Sequence, residues 1–173
     1  MKAVLAANRF GDRFEKIGQI LALAGGPADP AEVRRLADAY NAICEEAQAT
    51  CAEREGAGAA LAALSKRFPL YVNSATPEEP LVRIVRRRGW SGLFKGVLGR
   101  PATKVENLRS IAAVEKAGAD EVLFVGDMSQ DLEAAEAFGC RFAGLKSPES
   151  DLGGTRARLV DSLREVERLL TEK

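Results

Sequence analysis

Two aspartates, Asp127 and Asp131, stand four residues apart directly after the apolar run Val122-Leu123-Phe124-Val125-Gly126. Such a run followed by turn residues reads as a strand buried on both faces. Ser129 reads as a helix N-cap, and Leu132, Ala135 and Phe138 form one stripe that stops at Gly139. Asp127 therefore falls at the carboxyl end of a central strand, where open α/β sheets bind their ligands. Gly126 lets the backbone pass close to a bound group. Paired carboxylates suit a hard cation, magnesium first among them. An isolated Gly-Asp is also a common turn or helix cap, so the pair gains meaning only from its companions. Two such companions exist. Ser74 and Ala75 end a strand-like run that starts at Leu70, and Lys104 opens a helix after Arg100-Pro101-Ala102-Thr103. A hydroxyl, an ammonium and a metal-binding acid are what a phosphoryl group needs around it.

Composition narrows the chemistry. The chain of 173 residues has no histidine, which excludes Ser-His-Asp and Cys-His catalysis and histidine metal sites. Lys plus Arg equal Asp plus Glu at 25 each, so no global field draws nucleic acid or a membrane. The cluster Arg83, Arg86, Arg87 and Arg88 reads as a solvated face matched to a helix dipole. Three cysteines, Cys44, Cys51 and Cys140, form no CxxC pair; they fit a reducing cytoplasm, with Cys44 and Cys51 expected to pack in a core. No apolar run is long enough to span a membrane, and no signal peptide is visible.

The elements that must carry these residues follow from the periodicity. Lys2 to Leu5 reads as a short first strand. Phe10, Phe14, Ile17, Leu21 and Ala24 recur at helical spacing, and Gly25-Gly26-Pro27 stops that helix. Asp29-Pro30-Ala31-Glu32 is a helix start, and Val33, Leu36, Tyr40, Ile43, Ala47 and Cys51 continue one face. A third helix is expected over 60–66, and a fourth from Pro77. The glycine-rich stretch 89–99 matches neither the Walker pattern nor the dinucleotide fingerprint. After a strand at Arg141 to Leu145 come a loop over 146–154 and a last helix capped by Thr155 and packing Leu159, Leu163, Val166 and Leu170. Strand and helix alternate from residue 57 on, so the fold class is α/β: a Rossmann-like parallel sheet with helices on both faces. The expected division is a core of 1–7 and 57–173 and a small helical cap of 8–56, which would act as a lid.

With the three segments in this order, the sequence resembles the haloacid dehalogenase (HAD) superfamily, mostly phosphatases of small phosphorylated metabolites. Tyr71 to Thr76 looks like that family's second motif, with Ser74 and Ala75 binding phosphate. Arg100 to Val105 looks like the third, with Lys104 as the phosphate lysine. Gly126 to Asp131 looks like the fourth, with Asp127 and Asp131 holding magnesium. The family's first motif is an Asp-x-Asp pair after the first strand, supplying the nucleophile and the general acid/base. Here Ala6-Ala7-Asn8 follows Leu5, no Asp-x-Asp occurs there, and Asp12, the only acid nearby, falls inside an expected helix. No catalytic nucleophile can be assigned. The resemblance then implies a phosphatase-like protein that is inactive or impaired, a pseudoenzyme with weakened magnesium binding. The alternative is a non-catalytic phosphate-binding or scaffold protein on the same fold, in which oligomerisation is possible. Ala6 and Ala7 span only about 7 Å, so the first strand is expected to be frayed or re-paired, or the cap helix to start tight against the sheet.

Overall fold

The computed structural model describes residues 13–26 and 29–171. The expected strand at 2–5, its connection through Ala6 and Ala7, and the missing first motif all lie outside the described residues. The chain divides into two compact units, Met1–Thr50 and Cys51–Lys173.

Among its described residues the first unit holds two helices, α1 (Arg13–Leu23) and α2 (Pro30–Thr50), packed on each other. Asp29 starts α2 as its composition demands: its carboxylate accepts from the Ala31 N–H at 3.2 Å, and its carbonyl from the Val33 N–H at 2.9 Å. Ala37 is fully buried, whereas Tyr40 and Ile43 of the same helix are exposed.

The second unit runs α3 (Ala57–Ser65), β1 (Tyr71–Pro77), α4 (Glu78–Arg87), β2 (Gly96–Arg100), α5 (Lys104–Glu115), β3 (Leu123–Gly126), α6 (Ser129–Phe138), β4 (Arg141–Leu145), β5 (Arg158–Val160) and α7 (Leu163–Thr171). Every described strand pair is parallel: β1 with β2, β3 with β4, and β4 with β5. Strand alternation then decides the layers. Val122, Phe124 and Phe142 join Leu108 of α5 and Ala134 and Ala135 of α6 on one face. Leu123, Val125 and Ala143 join Val166 and Leu169 of α7 on the other. This is the α/β architecture that the alternating elements predict, with helices on both faces.

Among the described residues the strands form two sheets, β1-β2 and β3-β4-β5. A cavity of about 400 Å³ is lined by both: Tyr71, Val72 and Asn73 on one side, Leu123, Phe124 and Val125 on the other. The edge of β1 away from β2 and the edge of β3 away from β4 have no strand partner among the described residues.

Several local expectations are corrected. The stretch 89–99 contains a strand, β2, whose glycines hide its signal. Gly99 is required there, because a Cβ would stand 2.4 Å from the Thr76 carbonyl oxygen and 2.7 Å from the Glu78 backbone nitrogen. The last helix begins at Leu163, not after Thr155, whose hydroxyl instead donates to the Leu152 carbonyl at 2.8 Å. Leu159 belongs to β5, which adds to β4 through Ala143↔Arg158, Gly144↔Leu159 and Leu145↔Val160. Cys51 is exposed rather than packed in a core, and its sulfur lies 2.8 Å from the Arg88 guanidinium.

Candidate functional site

The carboxyl ends of β1 and β3, and the loop that leads from β2 into α5, carry the residues singled out by chemistry. The β1–β2 ladder pairs Tyr71, Val72 and Asn73 with Gly96, Val97 and Leu98, then breaks until Pro77 meets Arg100. Ser74 and Ala75 fall within that break. The Ser74 hydroxyl accepts from the Thr76 N–H at 3.1 Å and donates to the Thr76 hydroxyl at 3.2 Å. It thus braces the irregular part of β1, where Ala75 is exposed.

Lys104 is the first residue of α5. A capping box sets that helix start: the Thr103 hydroxyl accepts from the Glu106 N–H at 3.2 Å, and the Glu106 carboxylate accepts from the Thr103 N–H at 2.7 Å. The Lys104 ammonium donates to the Asp131 carboxylate at 2.5 Å. Both ends are largely withdrawn from water, with 18% of the lysine side chain and 8% of the aspartate side chain exposed. The other Asp131 oxygen accepts from the Met128 N–H at 3.2 Å and so closes the start of α6. Gly126 makes room for this: a Cβ there would stand 2.4 Å from the Asp131 Cβ. Ser129, read from sequence as the cap, is instead the first residue of α6. Its N–H donates to one Asp151 oxygen at 2.5 Å and its hydroxyl to the other at 2.8 Å. Asp127 is half-buried and accepts from the Ser147 hydroxyl at 3.4 Å.

Two asparagines tie the pieces together, and sequence reading passed over both. The Asn73 amide nitrogen donates to the Lys104 carbonyl at 2.9 Å, and the Asn73 amide oxygen accepts from Asn107 at 3.0 Å. Asn107 is 3% exposed. A signal was present: Asn73 interrupts an apolar strand, and Asn107 shares a helix face with Ile111. Asp151 and Ser147 sit in the polar loop after β4, which lay at a strand's carboxyl end and could have been searched for acids.

Lys104 and Asp131 are therefore in direct contact. Met128 links them to Asp127, its chain neighbour, and Asn73 links them to Ser74, its own neighbour. Lys104 has three N–H donors and spends one on Asp131, so the ammonium can also face an anion. The acids divide their work. Asp131 is engaged on both oxygens, which leaves Asp127 as a single carboxylate, and among the described residues no group of three or more His, Cys, Asp or Glu could hold a metal. The described side chains do not by themselves make a magnesium centre.

No family model matches the chain. A curated relative, enolase-phosphatase E1 of Streptomyces avermitilis, is 35% identical over 74 residues, which is 43% of this chain and 29% of that protein. The match thus spans less than a third of that relative. Among solved structures, a HAD-superfamily hydrolase of subfamily IA from Geobacter sulfurreducens superposes with a TM-score of 0.69 at 25% identity, covering 98% of this chain and 78% of that one. A predicted phosphoglycolate phosphatase from Haemophilus somnus gives 0.76 at 18%, covering 91% and 74%. An L-2-haloacid dehalogenase from Xanthobacter autotrophicus gives 0.64 at 21%, covering 91% and 74%. The class of fold is thereby defined: the chain is haloacid dehalogenase-like in fold. The local sequence likeness is to a phosphatase, whereas the fold is shared with phosphatase and dehalogenase alike. No described helix is long and apolar enough to cross a membrane.

Proposed function

We propose that the cluster at these strand ends is a phosphate pocket, and that the chain is a HAD-type phosphatase domain for a small phosphorylated metabolite with an impaired hydrolytic step. The buried Lys104–Asp131 pair, held to β1 through Asn73, carries this reading. Lys104 supplies positive charge to the phosphoryl oxygens. The Ala75 backbone N–H, and the Ser74 hydroxyl once it turns from Thr76 to the phosphate, supply hydrogen bonds at the irregular part of β1. Asp131 orients the ammonium, and Asp127 is the carboxylate left free of Lys104; a magnesium ion would need ligands beyond these side chains. Residues 1–7 with 57–173 are read as the core, and 8–56 as the helical cap. The protein works in the cytoplasm on this reading, and nucleic acid and membrane are not its partners.

The sequence gives a specific reason to keep a second reading. Its residues include no Asp-x-Asp, and a covalent aspartyl-phosphate route needs such a nucleophile. A protein that holds a phosphorylated ligand without cleaving it, as a binding or scaffold module, uses the same pocket. Hydrolysis of p-nitrophenyl phosphate with magnesium separates the two. Slow turnover that disappears in Asp127→Asn supports the impaired phosphatase; phosphate binding by calorimetry without any turnover supports the binding module.

A further inference from the structure

We propose that Asn107 is a positioning residue for Lys104, acting through the amide of Asn73. The Lys104 carbonyl can only accept a hydrogen bond, so the Asn73 amide must present its nitrogen to it, as it does at 2.9 Å. That choice turns the Asn73 oxygen toward α5, where it needs a donor, and Asn107 supplies one at 3.0 Å. Were the donor lost, the Asn73 amide could turn over. Its oxygen would then face the Lys104 carbonyl oxygen, two acceptors without a proton between them. The link between β1 and the first turn of α5 would break at the residue whose ammonium meets Asp131. Asn107 makes no hydrogen bond to that ammonium or to Asp131, yet it fixes the base from which Lys104 extends. Its near-complete burial fits this use, since a buried amide must be spent on a partner.

A consequence for phosphate follows, and it rests on the reading of Lys104 as the phosphate cation. A lysine anchored at its backbone and at its ammonium is presented to an anion in one pose. Freed at its backbone, it binds the same anion with about tenfold lower affinity, the effect of one lost hydrogen bond.

The test has two arms. In the first, wild type, Asn107→Leu, Asn73→Leu and the double variant are acetylated with a lysine reagent. Labelling of Lys104 is followed by peptide mass spectrometry, with Lys95, whose side chain is 57% exposed, as internal reference. The expected result is faster labelling of Lys104 in Asn107→Leu, equal to that in Asn73→Leu, with the double variant no faster than either. If Asn107→Leu does not fold, Asn107→Ser, whose shorter side chain falls short of Asn73, replaces it. In the second arm, inorganic phosphate is titrated into the same proteins and Lys104→Ala. Wild type that binds no phosphate would overturn the reading of the pocket, while the labelling arm still decides the positioning role. A lowered unfolding midpoint with wild-type Lys104 labelling would overturn the proposal and leave Asn107 a purely structural residue. Additive labelling in the double variant would overturn the route through Asn73.

Discussion

Separating Lys104 from Asp131 is the perturbation whose size follows most directly from the geometry. The contact is 2.5 Å, and the side chains are 18% and 8% exposed. Breaking a buried pair from one side costs about 3–5 kcal/mol, because the partner is left charged without compensation. The lysine end is partly wet and Asp131 keeps its bond from Met128, so Lys104→Met should fall at the low end, about 3 kcal/mol. Asp131→Asn keeps a polar group against the Met128 N–H and should cost about 2 kcal/mol. In the double variant neither residue leaves an unpaired charge. The coupling energy should therefore reach about 1.5–3 kcal/mol, the range for hydrogen bonds to charged groups. Urea unfolding of the four proteins measures it. A coupling below about 0.5 kcal/mol is the value of an exposed surface pair and would refute the reasoning.

The remaining predictions are narrower. Gly126→Ala places a methyl 2.4 Å from the Asp131 Cβ and Cγ, both on a pinned residue, so about 2–4 kcal/mol of stability should be lost by urea unfolding. Gly144→Ala meets the side-chain ends of Leu159 and Leu152 at 2.6 and 2.7 Å, with Phe142 at 3.6 Å, and should cost less because these are methyl ends rather than a pinned stem; the reverse order would contradict the packing described. The Tyr71 phenol donates to Glu115, and this bond, with burial and the carboxylate's charge adding to it, pushes its pKa from 10.0 up to about 12. The folded form thus holds the proton more tightly. Its contribution is intact below pH 10 and is lost as the pH rises toward 12, so the stability advantage over Tyr71→Phe should shrink across that window. An advantage that is flat from pH 9 to 12 would show that the bond is not made (roughly the window that linkage sets). Magnesium titrated alone should give little heat, since Asp131 is engaged elsewhere; strong binding that survives Asp127→Asn would contradict the division of the two acids.

How much of this was legible in the sequence depended on whether a residue's role is set locally or by contacts far along the chain. Strand β3 was legible because Val122 to Val125 is apolar on both faces and both faces are covered. The start of α2 was legible because Asp29 and Pro30 act within one turn. Strand β2 was not, because Gly96 and Gly99 suppress strand propensity, and the need for Gly99 lies in the backbone at Thr76 and Glu78. Leu159 and Leu163 have helical spacing, yet Leu159 belongs to β5 because β4 offers it a pairing edge. At the site, residue types alone pointed to Ser74, Lys104, Asp127 and Asp131. The division of labour between the two acids was invisible, since it depends on which of them Lys104 reaches. Asn73 and Asn107 were missed because a lone asparagine on an apolar face has no meaning until its partner, 34 residues away, is seen.

The central claim is that these strand ends hold a phosphoryl group around Lys104. Calorimetric titration of inorganic phosphate into the wild type and Lys104→Ala tests it most directly. Binding by the wild type that vanishes in Lys104→Ala, with both proteins folded, is the predicted result. Equal binding by the two, or none by the wild type, would contradict it.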